Sequence, residues 1–136
     1  MTLLVDPSVW SLTFRRDGDS DAPSVKALRV ALAGGDSIVT TGLILQELLQ
    51  GFAGPRARKE TLEKFTALPL LVPDRRDHID AAELRNRCRR SGSQAGTIDA
   101  LLAQPCIRHA LTLLTPNGDF ATIAKHSALR VWKAPK

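Results

Sequence analysis

Four acids stand where their neighbours permit chemistry. Asp6 directly follows the apolar run "TLLV" and directly precedes Pro7 and Ser8. Glu47 sits in "TTGLILQELLQG", three and four residues after Ile44 and Leu43. Asp99 lies in "GTIDALLA" and Asp119 in "LLTPNGDF", four residues past Thr115. Each acid has a plainer role open to it. Asp6 can cap a helix that begins with proline, and one carboxylate oxygen can do so while the other holds a metal. Asp99 and Asp119 fall in first helical turns, where the helix dipole favours a carboxylate by about 0.3–1 kcal/mol. Glu47 can be a solvated helix residue, although the stripe it shares with Leu43 and Ile44 is partly apolar. Taken as a set they say more. Two carboxylates about 4 Å apart repel by roughly 4 kcal/mol at an effective dielectric near 20. Several together need a cation, and an all-oxygen pocket suits Mg²⁺ or Mn²⁺. Such a site can generate hydroxide and neutralise charge during in-line attack on a phosphodiester.

Whether the acids meet depends on the elements that carry them. Residues 2–5, 37–41, 68–72, 111–115 and 129–132 read as strands, from their short apolar or β-branched runs between turn signals. Helices are expected over 8–14, 24–33, 41–52, 55–66, 74–90, 97–110 and 119–126, with a bend at Pro105 in the sixth. Segments 15–23 and 91–96 read as polar loops, Gly34 and Gly35 as a helix stop, and "PNG" as a turn. Strands alternating with helices imply right-handed crossovers and an α/β fold: a mostly parallel five-stranded sheet flanked by helices on both faces. Ligand sites in such sheets lie beyond the carboxyl ends of the strands, which brings at least three of the four acids to one edge.

Bulk composition narrows the classes. A chain of 136 residues, 43% hydrophobic and 24% charged, has the size of one domain over 1–136. No apolar run approaches the roughly 18–20 residues of a membrane span, and the N-terminal stretch does not read as a secretory signal, so a cytoplasmic location is expected. Cys88 and Cys106 match no metal spacing and read as buried free thiols. The net charge of +5 permits a nucleic-acid partner without requiring one. Tyrosine is absent, which argues against a base-stacking surface. Neither a GxxxxGK nor a GxGxxG phosphate loop occurs, and His78, His109 and His126 match no ligand spacing.

The segments "LLVDPSVW", "TTGLILQELLQG", "GTIDALLA" and "LLTPNGDF", in this order and at these intervals, resemble the PIN-domain ribonucleases of the VapC toxin type, from type II toxin–antitoxin modules. The likeness runs almost end to end. It implies that Asp6, Glu47, Asp99 and Asp119 bind one or two Mg²⁺ or Mn²⁺ ions and activate the water that cuts RNA, leaving a 5′-phosphate and a 3′-hydroxyl. It places Ser8, Thr97 and Thr115 where the family often has hydroxyl residues near the metals. Capping and turn bonding are their alternative roles. Three departures stand out. Pro7 replaces the usual Thr or Ser after the first acid. Asn117 stands where many members have a further Asp, and can ligate a metal or make an Asn-Gly turn, the reading favoured here. Pro105 interrupts a helix that usually runs on. The resemblance also implies a homodimer and a VapB-like antitoxin clamped by the helical hairpin at 41–66. That hairpin carries Leu43, Leu45, Leu48, Leu49, Phe52, Leu62 and Phe65; core packing is the other use for them.

Arginines crowd "AELRNRCRRSG": Arg85, Arg87, Arg89 and Arg90. They form either a solvated helix face or an RNA-phosphate contact. Arg56, Arg58 and Lys59 pose the same choice. The reading that results is a metal-dependent endoribonuclease toxin that inhibits translation. The alternatives are a weak or inactive PIN-like domain that binds RNA or a protein, and a phosphoacceptor signalling domain. The last fits poorly, because Asp6 stands alone where that fold needs an acid pair.

Overall fold

The computed structural model describes residues 1–14, 22–34, 36–51 and 54–135. Five strands form one parallel sheet in the order β3-β2-β1-β4-β5. They are β1 (Thr2–Val5), β2 (Ser37–Thr41), β3 (Leu70–Leu71), β4 (Thr112–Leu114) and β5 (Arg130–Val131). The helices are α1 (Pro7–Thr13), α2 (Pro23–Leu32), α3 (Gly42–Gly51), α4 (Pro55–Thr66), α5 (Arg75–Arg90), α6 (Thr97–Arg108) and α7 (Asp119–Lys125). This is the α/β architecture the alternating pattern predicts. Segment 15–21 of the first polar loop, Gly35 and Phe52 lie outside the described residues.

The chain winds from β1 through β2 to β3 in one direction, then returns across the sheet to β4 and β5. Right-handed crossovers therefore place α1–α4 on one face and α5–α7 on the other. The packing agrees: α1 contacts α2 and α3, α3 contacts α4, and α6 contacts α5 and α7. Between the layers, Leu4, Val5, Leu113 and Leu114 are fully buried. A strand covered on both faces reads as a continuous apolar run, as these do. Trp10 is fully buried too. It stacks on Phe14 at 5.6 Å and meets Phe65 edge-on at 4.9 Å, tying α1 to α4.

The edge strands are shorter than their apolar runs. Only Leu70–Leu71 of 68–72 and Arg130–Val131 of 129–132 pair in the sheet. Each has a neighbour on one side alone, and Leu70 and Arg130 are exposed. Cys88 and Cys106 are buried free thiols, and burial pushes the Cys106 thiol up to about 12. No described helix is long and apolar enough to cross a membrane.

Helix ends set the approach to the site. An aspartate pair opens α5: Asp74 accepts from the Asp77 N–H at 2.9 Å, and Asp77 accepts from the Asp74 N–H at 2.9 Å. Arg108, at the end of α6, bridges both acids and so joins the two helices. The chain stays helical through Pro105 and closes past Arg108. There the Leu111 N–H donates to the Cys106 carbonyl at 2.8 Å and the Ala110 N–H to the Ile107 carbonyl at 3.4 Å. This reversal needs a left-handed residue, normally glycine, yet Ala110 occupies it with φ 54°. A left-handed conformation costs a non-glycine residue about 1–2 kcal/mol, part of which glycine's larger unfolded-state freedom offsets. Ala110→Gly should therefore raise the urea unfolding free energy by about 0.5–1 kcal/mol. A loss of stability would contradict the strain assigned to this turn.

Candidate metal centre

Asp6 sits at the crossing of the sheet, where β1 and β4 lie side by side and the chain departs in opposite directions. Its N–H donates to the Leu114 carbonyl at 3.0 Å, which extends the β1–β4 ladder by one bond. Its carbonyl accepts from the Val9 N–H at 3.0 Å and so starts α1. The side chain does not cap that helix. Instead one carboxylate oxygen, Oδ2, accepts from Thr115 Oγ1 at 2.6 Å and from Ser8 Oγ at 3.0 Å. The capping role open to Asp6 is thus not realised: the two hydroxyls engage its carboxylate, and its backbone carbonyl alone opens the helix. The other oxygen, Oδ1, has no hydrogen-bond partner among the described residues.

The bonds continue along the loop after β4. Thr115, which is buried, accepts from the Asn117 N–H at 3.1 Å. Asn117 Oδ1 accepts from the Asp119 N–H at 2.9 Å. The amide oxygen is therefore used in the turn that launches α7 and fixes the backbone of Asp119. Glu47 is placed from the opposite side. Thr41, buried at the end of β2, accepts from the Ile44 N–H at 3.3 Å and sets where α3 begins. Ile44 and Leu48 face the core, leaving Glu47 half-buried between them on the same helix. Asp99 is half-buried in the first turn of α6.

Asp6, Glu47 and Asp99 line one cavity of about 460 Å³, together with Ser8 and Asn117. Its other wall is apolar: Pro7, Ile98, Leu102, Pro116 and Phe120. Asp119 lines an adjoining cavity of about 640 Å³, which shares Asp99 with the first and also contains Arg85 and Arg89. Thr97 is exposed at the start of α6 and lines neither cavity. Among the described residues, no three acids converge closely enough to hold an ion as they stand.

The acids nevertheless form one electrostatic unit. Partial burial, then the charges of Asp6 and Asp99, raise the Glu47 carboxyl above its ordinary value. Partial burial, then the charges of Asp119 and Asp6, do the same to Asp99. No lysine or arginine makes an ion pair with any of the four among the described residues. Hard oxygen donors, mutual repulsion and missing counter-charges together fit a divalent cation.

The model of the PIN domain matches residues 3–126. The chain belongs to the PIN-domain family. Solved structures support the same fold. A chain of VapBC2 from Rickettsia felis, bound to a promoter DNA fragment, superposes with a TM-score of 0.75 at 20% identity, covering 99% of this chain and 100% of that one. VapBC-1 from nontypeable Haemophilus influenzae gives 0.71 at 19% identity over 98% of both chains. The sarcin-ricin loop cleaving toxin VapC20 from Mycobacterium tuberculosis gives 0.69 at 19% identity, over 94% of this chain and 98% of that one. The four acids stand just after β1, within α3 and in the first turns of α6 and α7.

The electrostatics have a signed consequence for stability. An acid whose pKa is raised by folding binds more protons folded than unfolded just above its ordinary value, so stability falls as pH rises through that window. At neutral pH the charged Glu47 is then a net cost to the metal-free fold. Glu47→Gln should raise the thermal midpoint in EDTA at pH 7 and show no such gain near pH 4, where the wild-type group is protonated. A lower midpoint at pH 7 would contradict the burial and repulsion that raise the Glu47 carboxyl.

Proposed function

We propose that this PIN domain is a Mg²⁺- or Mn²⁺-dependent endoribonuclease, the toxin of a toxin–antitoxin module, and that it inhibits translation by hydrolysing RNA. One observation carries the reading. Asp6, Glu47 and Asp99 share a cavity, Asp119 adjoins it, and none has a cationic partner among the described residues.

Asp6, Glu47, Asp99 and Asp119 are the residues that would hold the cation. When bound, a divalent cation supplies charge neutralisation and an activated water for in-line attack on a phosphodiester, with 5′-phosphate and 3′-hydroxyl products. The remaining roles belong to the chain itself. Thr115 and Ser8 fix Asp6 Oδ2, and Oδ1 keeps its lone pairs without a hydrogen bond among the described residues. Asn117 holds the first turn of α7, and with it Asp119, through its amide oxygen. The apolar wall that Leu102 and Phe120 build lowers the local dielectric and strengthens every charge interaction across the site.

Partners follow from the same family. The Rickettsia and Haemophilus structures are named VapBC, which supports a VapB-like antitoxin here. Gly42, Leu45, Gln46, Leu49 and Gln50 line a shallow groove of about 350 Å³ on α3. This groove on the α3–α4 hairpin is its proposed seat. A homodimer and a cytoplasmic location complete the reading.

Purified chain should cut RNA from a mixed tRNA, rRNA and mRNA pool in Mg²⁺ or Mn²⁺ and not in EDTA. Asp6→Asn should lower the rate by at least about 100-fold, the scale on which one electrostatic group acts in a hydrolytic site. Thr115→Val, which keeps the shape and removes the bond to Asp6, should lower it by about 10–100-fold, as loss of a group supporting a metal ligand does. A folded, antitoxin-free chain that cuts none of these RNAs would overturn the ribonuclease and leave a binding domain.

A further inference from the structure

The arginine-rich end of α5 is not one charged face. Arg87 turns away and donates to the His126 carbonyl at 3.4 Å. Arg90 is exposed and lines neither acid-bearing cavity. Arg85 and Arg89, one helical turn apart, line the 640 Å³ cavity that contains Asp99 and Asp119. Arg85 is partly buried, and its Nε donates to the Ala95 carbonyl at 2.9 Å, which fastens the 91–96 loop. Arg89 is exposed and makes no ion pair or side-chain hydrogen bond among the described residues.

The wall that presents Arg89 is built. Gly92, at φ 81°, closes α5: its N–H donates to the Arg89 carbonyl at 3.0 Å, and the Ser93 N–H to the Cys88 carbonyl at 2.9 Å. Ser93 Oγ meets His126 Nε2 at 3.4 Å, which joins the loop to the end of α7. A guanidinium that lines one cavity with Asp99 and Asp119, yet is paired with neither, keeps its full charge and its planar fork for a ligand.

We propose that Arg89, positioned beside Arg85, binds a backbone phosphate of the substrate RNA next to the one that lies at the four acids. This inference rests on the ribonuclease reading. The two cavities meet at Asp99. A ligand that spans them must be anionic at the arginines and also reach the acids through a cation. A phosphodiester chain meets both conditions. The acids alone would repel such a chain, and the arginines supply the attraction that lets it approach.

The test measures binding of a fluorescently labelled single-stranded RNA by anisotropy in Mn²⁺, in an Asp6→Asn background that does not cleave, over a series of salt concentrations. Arg89→Ala should weaken binding about 10-fold and reduce the slope of log K against log salt by about 0.7, the loss of one single-strand phosphate contact. Arg89→Lys should keep the slope. Arg90→Ala should change neither quantity. With Asp6 intact, Arg89→Ala should raise KM more than it lowers kcat. Unchanged affinity and slope in Arg89→Ala, or an equal loss in Arg90→Ala, would overturn the assignment. Cleavage by the wild type with a silent Arg89→Ala defeats this inference alone. Arg89-dependent binding without any cleavage by the wild type keeps the phosphate contact alone and defeats the ribonuclease.

Discussion

Like charges gathered at one edge of a sheet repel, and the surrounding structure has to hold them there. In this protein the holding begins at Asp6. Its backbone is fastened to β4 through Leu114, and its Oδ2 to Thr115 and Ser8. Because β1 and β4 are neighbours whose chains leave in opposite directions, the crevice beyond them is open. The helices that follow β2 and precede β4 reach that crevice from either side and bring Glu47 and Asp99. Partial burial, and after it that crowding, raise the carboxyls of both residues.

Three small sets of bonds translate strand position into acid position. Thr41 sets the first turn of α3. The Asp74–Asp77 pair and Arg108 lock α5 against α6. Asn117 sets the first turn of α7. Each bond satisfies a helix-end donor or joins two helices, roles that stability alone would require. Each also fixes an element that bears on the acids. Structure and proposed chemistry therefore use the same residues.

Much of this was legible in the residues. Alternating apolar runs and helix signals place every strand and helix, because each run has one period and one length. The limits lie where tertiary neighbours decide. The runs 68–72 and 129–132 look like full strands, but an edge position pairs only two residues of each. Asp6 before Pro7 looks like a side-chain cap, and Thr115, far away in sequence, takes the carboxylate instead. Thr97 resembles a site hydroxyl but stays at the surface. The split of the arginines was hidden for the same reason. Helical period shows that Arg85 and Arg89 share a face, and only the packed fold shows that this face meets Asp99 and Asp119.

The central claim is that the acids act together to bind a divalent cation. Calorimetric titration of Mn²⁺ into the RNA-free chain tests it most directly, at about pH 5, just above the ordinary carboxyl range, in two buffers of different ionisation enthalpy. The account predicts saturable binding with proton release, since the cation competes with protons for the Glu47 and Asp99 carboxyls, which partial burial and neighbouring acids raise. It also predicts that Asp99→Asn abolishes this binding. No saturable heat in the wild type, or binding that Asp99→Asn leaves intact, would contradict it.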